Sequence, residues 1–435
     1  MTAPEHLPTV NEAVKCAGLG TEIIIFTDLL REHPEPLCLL NGLATDHCNG
    51  LRRLHDLLYS PDDAVDLITL KLDIESVACL ATTSGTTGLP KVAARSHKAM
   101  VLESVAIEDN NAQKPYQIRR LFCTPIFHAF SSAQMLIGSL RYGHLSYFMK
   151  RFDDTYPQKL EDFCITETVA PPAMILRLVQ SDRYIQEKLN SLRLLWSGGA
   201  PLADELRCKA LAMFDHDVRI VQVWGMTEGG WFTTFKYPED DASGSVGRMI
   251  PGFEVKLNNE RASLLTNGQT AGELVVRSEH LMTQYFGNQD ATSSAFDDGW
   301  LKTGDIGYVK DGRVYLVDRL KELVKVNGWQ VAPAEIEAAL LTSSDVDDAA
   351  VIGVGHDVNE HPLAFVVPSN LNVDKKCIKQ HLLGRLTRYK VASLEISFVT
   401  QIPKSVAGKM LKNELRRWHE EDERNRDCAK CEQPT

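Results

Sequence analysis

The chain of 435 residues is short of the features that mark several whole classes of protein. It has no surplus of basic charge: 47 Lys and Arg face 58 Asp and Glu, a net charge of −11, whose field repels phosphate backbones and anionic lipid surfaces. Nucleic acid and membranes are therefore not expected partners. No run of about 18 apolar residues occurs, and Met1–Thr9 has neither a basic start nor an apolar centre, so no membrane span and no secretory leader are expected. The 28 Gly and 19 Pro lie far below the roughly 25–30% that marks low-complexity chains. Ten Cys without framework spacing read as reduced thiols and small buried hydrophobes, which points to a cytoplasmic setting. Cys428-Ala429-Lys430-Cys431 has metal-ligand spacing but no second pair, which argues against zinc. Gln433-Pro434-Thr435 is not a peroxisomal address.

What is present fits a globular protein with a large core: 44% hydrophobic and 24% charged residues in a length that allows about two to four packed units. Glu22–Phe26 and Cys79–Thr82 read as buried strands and Leu51–Tyr59 as a helix. Residues 98–230 alternate helical patterns with short apolar runs, such as Leu121–Thr124, Leu145–Met149, Leu192–Trp196 and Arg219–Val223. Such alternation predicts an α/β arrangement with parallel strands. From about 244 to 318 the pattern changes to short strands with turn signals, a β-rich subdomain. Beyond Lys321 the expectation is a small α+β domain: helix Ala334–Leu341, strands Ala349–Val354 and Leu363–Val367, helix Lys375–Leu386, strand Ile396–Thr400 and helix Lys412–Trp418. A charged, frayed tail is expected after it. The predicted division is 1–320 for the large domain and 321–435 for the small one.

The strongest local signal is Thr82-Thr83-Ser84-Gly85-Thr86-Thr87-Gly88-Leu89-Pro90-Lys91. Hydroxyls and glycine amides packed into one turn and closed by a lysine make a cradle for phosphate oxygens. Pro90 before Lys91 and Val92 after it depart from the Walker A pattern.

The decapeptide resembles the signature loop of the adenylate-forming superfamily, which includes acyl- and aryl-CoA synthetases, luciferases and peptide-synthetase adenylation domains. In motif style the chain is most similar to coumarate-CoA-ligase-like enzymes. Further matches follow in the family's order: Pro125-Ile126-Phe127-His128, Ser197-Gly198-Gly199-Ala200-Pro201-Leu202, Trp224-Gly225-Met226-Thr227-Glu228, Gly299–Asp305, Val317–Glu322, Val331–Glu335 and Pro403–Lys409. Only residues 1–81 precede the signature loop, fewer than in relatives, so the chain is expected to be shortened at its N-terminus, with apolar surface or a sheet edge left uncovered.

The resemblance implies activation of a carboxylic acid by attack on the α-phosphorus of ATP, then transfer of the acyl group to a thiol. Coenzyme A is the expected acceptor and Mg²⁺ the expected metal. It assigns Thr83, Ser84, Gly85, Thr86, Thr87, Gly88 and Lys91 to the outer phosphates, Gly199, Ala200 and Pro201 to the adenine-site loop, and Trp224, Gly225 and Met226 to the nucleotide and metal motif. Trp224 would stack on the base, its alternative being a core tryptophan. Thr227 would bond the α-phosphate, Glu228 would ligate Mg²⁺ and Asp305 would accept the ribose hydroxyls. Arg319 would contact ribose or phosphate, Lys321 would be the hinge, and Lys325 and Gln330 would touch the adenylate or thiol. Lys409 is the expected catalytic lysine, reaching between domains as charge builds on the phosphoryl oxygens. His128 would border the carboxylate pocket, and Phe130, Trp231 and Phe232 would line the acyl pocket. Two large rings there would shorten the tunnel and favour a compact aromatic or short-to-medium acid. Two other readings stay open: loading of a carrier protein in trans, and a catalytically weak nucleotide-binding scaffold.

Overall fold

A computed structural model describes residues 73–83, 91–264, 269–326, 329–355, 360–370, 372–404 and 410–431. The expected elements at Glu22–Phe26 and Leu51–Tyr59 lie outside these residues. The described part opens with a hairpin of β1 (Val77–Thr82) and β2 (Val92–Ser96), in which Thr82 faces Val92 and Thr83 N–H donates to Lys91 O at 2.8 Å. The ends of the glycine-rich loop are thereby closed on a two-stranded stalk. Helix α1 (His97–Ala106) follows at once, its first turn capped by Ser96, which accepts from the Ala99 N–H.

The central sheet contains β3 (Arg119–Phe122), β4 (Leu145–Phe148), β5 (Glu167–Val169), β6 (Leu194–Gly198), β7 (Arg219–Met226), β8 (Gly230–Thr234) and β9 (Arg248–Met249), in the order β4-β3-β5-β6-β7-β8-β9. The five strands from β4 to β7 run parallel, as the apolar runs predict. Both faces are covered, so successive side chains enter different cores. Phe122, Trp196, Val221 and Val223 join one core, while Leu121, Leu195 and Ile220 join the other, with Tyr156, Leu160 and Ile175. Strand β4 forms an edge on which Leu145 and Phe148 are exposed.

At the amino ends of these strands lies a buried ionic network. Arg120 on β3 and Glu167 on β5 are register partners and pair at 2.9 Å. Lys114 bridges Glu167 at 2.5 Å and Asp109 at 2.8 Å, and Arg219 at the start of β7 reaches Asp109 at 3.2 Å. Burial alone would push Glu167 up, but Arg120 and Lys114 outweigh it and hold the carboxyl below its usual range.

The β-rich region consists of β10 (Glu254–Leu264), β11 (Thr270–Arg277), β12 (Gln284–Tyr285), β13 (Phe296–Asp297), β14 (Trp300–Lys310) and β15 (Arg313–Arg319). Five of these form one sheet, in which β13 and β15 both pair with β14, while β12 adds to β2 of the hairpin. After a turn at Leu320–Glu322 come β16 (Val324–Val326), β17 (Trp329–Val331), helix α2 (Pro333–Leu341), β18 (Val346–Val354), β19 (His361–Pro368), helix α3 (Lys375–Leu383), β20 (Glu395–Phe398) and helix α4 (Lys412–Cys431). Their own cores lie on the two faces of β18 and β19, Val351 and Val366 on one and Ile352 and Phe365 on the other.

Three expectations here need correction. The strand that ends at Cys79–Thr82 is not buried as expected: β1 is largely exposed, with Leu80 at 51%. Helix α3 stops at Leu383, with Gly384 as its cap, three residues before the predicted end. Helix α4 does not stop at Trp418 but continues to Cys431, so Cys428 and Cys431 lie inside it. The stretch is rich in Glu and Arg and meets no Gly or Pro before Pro434, which is good helical composition. Arg424 Nε also donates to the Glu420 carbonyl at 3.2 Å.

Candidate active site

In an open parallel sheet, ligands bind beyond the carboxyl ends of the strands. Three of the sequence motifs lie there. Pro125–His128 follows β3, Ser197–Leu202 spans the end of β6, and Trp224–Glu228 spans the end of β7. The chain turns back after β7, with Gly229 N–H bonded to Met226 O at 3.1 Å and β8 antiparallel to β7. The two strands approach so closely at Gly225 that an added Cβ would stand 2.1 Å from the Gly230 carbonyl oxygen. Only glycine fits.

Glu228 is buried at 6% exposure, and its Oε1 accepts the Tyr285 hydroxyl at 2.7 Å. Burial, with the Glu228 carboxylate beside it, raises the Tyr285 phenol far above its ordinary range, so it stays a donor. Lys91 Nζ stands over the Tyr285 ring, 4.8 Å from its centre. Tyr285 thus ties the stalk of the glycine-rich loop to the Thr227–Glu228 turn. No motif includes it, and its only sequence signal is an aromatic residue in the two-residue strand β12.

On the other side of the turn, Trp224 Nε1 donates to Asp305 Oδ2 at 2.8 Å, and Arg319 Nε pairs with Asp305 Oδ1 at 3.2 Å. Asp305 on β14 and Arg319 on β15 are register partners, so the pairing of these two strands sets the ion pair. Residues at 91, 224, 228, 285, 305 and 319 therefore belong to one constellation. Ser197, at the end of β6, is 1% exposed and its hydroxyl has no partner among the described residues. Gly199 is exposed in a left-handed turn at φ +84°, and Ala200 and Pro201 follow it at the surface end of the loop. Thr227 and Met226 are half-buried in their turn, and Gly225 is exposed.

Trp224 does not match its expected role. It is 3% exposed and meets Phe232 edge to face at 5.0 Å, so it is a core tryptophan whose indole N–H holds Asp305. The expectation that Trp231 and Phe232 narrow one tunnel is also overturned. Both rings are buried in the same core, at a bulge where the β7–β8 register shifts by one residue, yet they meet different partners. Trp231 packs on Phe130 and Trp196, both at 5.9 Å, with its indole N–H on the Phe130 carbonyl, whereas Phe232 packs on Trp224 and Phe253. They cannot jointly set the length of an acyl pocket. His128 is half-buried and caps the turn after β3, its Nδ1 accepting from the Phe130 N–H at 3.2 Å.

Lys321 lies in the turn between β15 and β16, where Glu322 N–H and Leu323 N–H both bond the Arg319 carbonyl. Beside it, burial pushes Asp318 up to about 6, although its two oxygens accept the Arg319 and Ala334 N–H groups. Lys412 bridges Glu322 and Glu337, both at 2.9 Å. Lys325 is exposed on β16, facing Gln330 across the register. Ser84, Gly85, Thr86, Thr87, Gly88 and Lys409 lie outside the described residues. On either side of residues 405–409, Lys404 bridges to Met410, and the Lys404 amine pairs with Asp348 at 2.5 Å.

Glu228 is a single hard oxygen donor, and the described residues hold no cluster of three or more His, Cys, Asp or Glu that would cage a metal. That donor set fits Mg²⁺ carried mainly by phosphate oxygens and water.

A family profile described as AMP-binding enzyme matches residues 45–286, and one described as AMP-binding enzyme C-terminal domain matches residues 335–409. The chain belongs to the adenylate-forming, AMP-binding enzyme family. Among its AMP-binding relatives, Acyl-CoA ligase M9 of Phoma sp. is 44% identical over 430 residues, covering 96% of this chain and 77% of that protein. Acyl-CoA ligase clz12 of Cochliobolus lunatus is 47% identical, covering 74% of this chain and 95% of that protein. Among solved structures, ATP-bound MatB from Rhodopseudomonas palustris matches with a TM-score of 0.70 at 29% identity, over 80% of this chain and 69% of that one. The anthranilate CoA ligase AuaEII in complex with anthranoyl-AMP shares the fold, with a TM-score of 0.77 at 24% identity over 95% and 77% of the two chains. No helix among the described residues is long and apolar enough to cross a membrane.

Proposed function

We propose that the chain is an AMP-forming acid–thiol ligase: it joins a carboxylic acid to the α-phosphate of ATP, releases pyrophosphate, and passes the acyl group to coenzyme A. The observation that carries this reading is the constellation Lys91–Tyr285–Glu228 joined through β7 to Trp224–Asp305–Arg319 at the carboxyl ends of the parallel strands. The names of the relatives, acyl-CoA ligases and 4-coumarate-CoA ligases, support the acceptor.

A carboxylate oxygen attacks the α-phosphorus while the bond to the bridging oxygen breaks and pyrophosphate leaves with that electron pair. Little covalent work falls to the protein, so its task is to position the acid and to balance charge. Lys91 and the Thr83–Gly88 loop hold the outer phosphates, and the Thr227 hydroxyl donates to the α-phosphate. Mg²⁺, when bound at Glu228, neutralises charge on the phosphate oxygens. Asp305 retains acceptor capacity for ribose hydroxyls beyond its bonds to Trp224 and Arg319. Lys409, assigned by its motif, brings a cation to the carboxylate and α-phosphate. Residues 321–435 act as the small mobile domain, turning at Lys321 to admit the thiol. The thiolate then attacks the acyl carbon and AMP leaves. The setting is cytoplasmic, in keeping with the acidic charge and reduced thiols.

Acid-dependent exchange of labelled pyrophosphate into ATP, screened over a library of carboxylic acids, tests the reading. Exchange with at least one acid, lost at least a hundredfold in Lys409→Ala, is expected. ATP binding without exchange for any acid would favour the scaffold instead, and acyl transfer to a carrier protein but not to coenzyme A would replace the acceptor.

A further inference from the structure

Arg95 and Glu103 belong to none of the motifs, yet they form the most enclosed ion pair near the site. Arg95 Nη1 donates to Glu103 Oε2 at 2.7 Å, and the two residues are 3% and 0% exposed. Arg95 lies on β2 and Glu103 on α1, so both belong to the segment that leaves the glycine-rich loop. Each reaches across to the turn after β7. Glu103 Oε1 accepts the Trp231 N–H at 3.2 Å, while Arg95 Nη2 donates to the His280 carbonyl at 3.0 Å and to the Gly229 carbonyl at 3.4 Å. Gly229 and Trp231 flank Gly230, directly after Thr227 and Glu228. Gly230 has φ +73°, and a Cβ on it would stand 2.0 Å from Glu103 Oε1, so the carboxylate occupies the place of a side chain. A second strand of the same clamp is the Met282 N–H, which donates to the Glu228 carbonyl at 2.6 Å.

An ion pair taken out of water is a poor source of stability, since apolar side chains of equal volume often serve as well. Its geometry is another matter. The planar guanidinium fixes two carbonyls and a carboxylate in one plane of donors, which a flexible amine does not. We infer that Arg95 and Glu103 are positioning residues that lock the Thr227–Glu228 turn to the stalk of the phosphate loop, so that the triphosphate and its magnesium are gripped by one rigid unit. Neither residue touches the reacting atoms. The inference rests on the reaction proposed above.

The test uses the full chain with Mg–ATP as the probe, measuring affinity by isothermal titration, the magnesium dependence of binding, and the melting temperature. Arg95→Met/Glu103→Gln removes both charges together and keeps an acceptor for the Trp231 N–H, so it is expected to melt within a few degrees of the parent. Its Mg–ATP affinity should nevertheless fall at least tenfold, with the magnesium concentration for half-maximal binding raised. Arg95→Lys keeps the charge and loses the planar fork, and should show parental melting with a severalfold loss of affinity. A purely structural pair would instead make affinity follow the melting temperature. Parental melting with parental affinity in the double variant overturns the inference; if that variant does not fold, parental affinity in Arg95→Lys overturns it. Pyrophosphate exchange by the parent is run beside these: its absence with every acid refutes the reaction, while the binding data still decide on the pair.

Discussion

Replacing Asp305 separates two demands that one carboxylate meets. In Asp305→Ala, Trp224 Nε1, on a residue 3% exposed, loses its acceptor at 2.8 Å. An unsatisfied buried donor costs about 1–3 kcal/mol. The Arg319 side chain is 38% exposed, so losing its pair adds only about 0–1 kcal/mol after solvent screening. Urea unfolding should therefore show a loss of roughly 2–3 kcal/mol. Asp305→Asn keeps a carbonyl oxygen for the indole and should lose no more than about 1 kcal/mol. With Asp305 on the ribose, as proposed, both variants should also lose charge-assisted hydrogen bonds of about 1.5–3 kcal/mol, at least roughly tenfold in Mg–ATP affinity. Trp224→Phe completes a double-mutant cycle with Asp305→Ala, and a coupling of about 1–2 kcal/mol is expected. Additivity within about 0.5 kcal/mol, or equal destabilisation by Asn and Ala, would refute the account of Trp224 as the holder of Asp305.

The remaining predictions concern the neighbourhood of Arg95. His280 is 3% exposed, and burial together with the Arg95 charge pushes it down to about 4, so it is neutral in the fold at pH 7. Below its ordinary value of about 6.5 the unfolded chain binds the extra proton, so stability should fall as pH drops from about 6.5 towards 4, by a total near 3 kcal/mol. The melting temperature of His280→Leu should fall less steeply across that window, and an unchanged slope would contradict the cause. Gly230→Ala places a Cβ 2.0 Å from Glu103 Oε1 at φ +73°, where the left-handed backbone alone costs about 1–2 kcal/mol. Reduced stability in urea and weakened Mg–ATP binding are expected together; a fully stable variant would show that the turn is looser than its contacts indicate.

Much of this architecture was legible because its physics is local. Short runs such as Leu192–Trp196 read as buried strands, and β6 and β7 lie where such runs stand, with their motifs at the carboxyl ends. The error over Trp231 and Phe232 had no remedy in spacing, because the bulge at Phe232 interrupts strand alternation and the ring partners Phe130, Trp196 and Phe253 come from other segments. The role of Trp224 was hidden as well, because its partner Asp305 lies 81 residues away. Arg95 and Glu103 were hidden too: their contacts to Gly229, Trp231 and His280 span 134, 128 and 185 residues, and no spacing rule reaches so far.

The ionic network at the amino ends of the strands has a consequence for how such a protein can change. A slip of one residue between β3 and β5 would carry Arg120 away from Glu167 to the opposite face of the sheet, at a cost no loop could recover. Register is thus fixed at one rim, and the loops that meet ligands hang from the other. Substrate preference can drift through insertions and exchanges at that far rim without retuning the scaffold, and loops grafted there from a relative should leave the sheet intact.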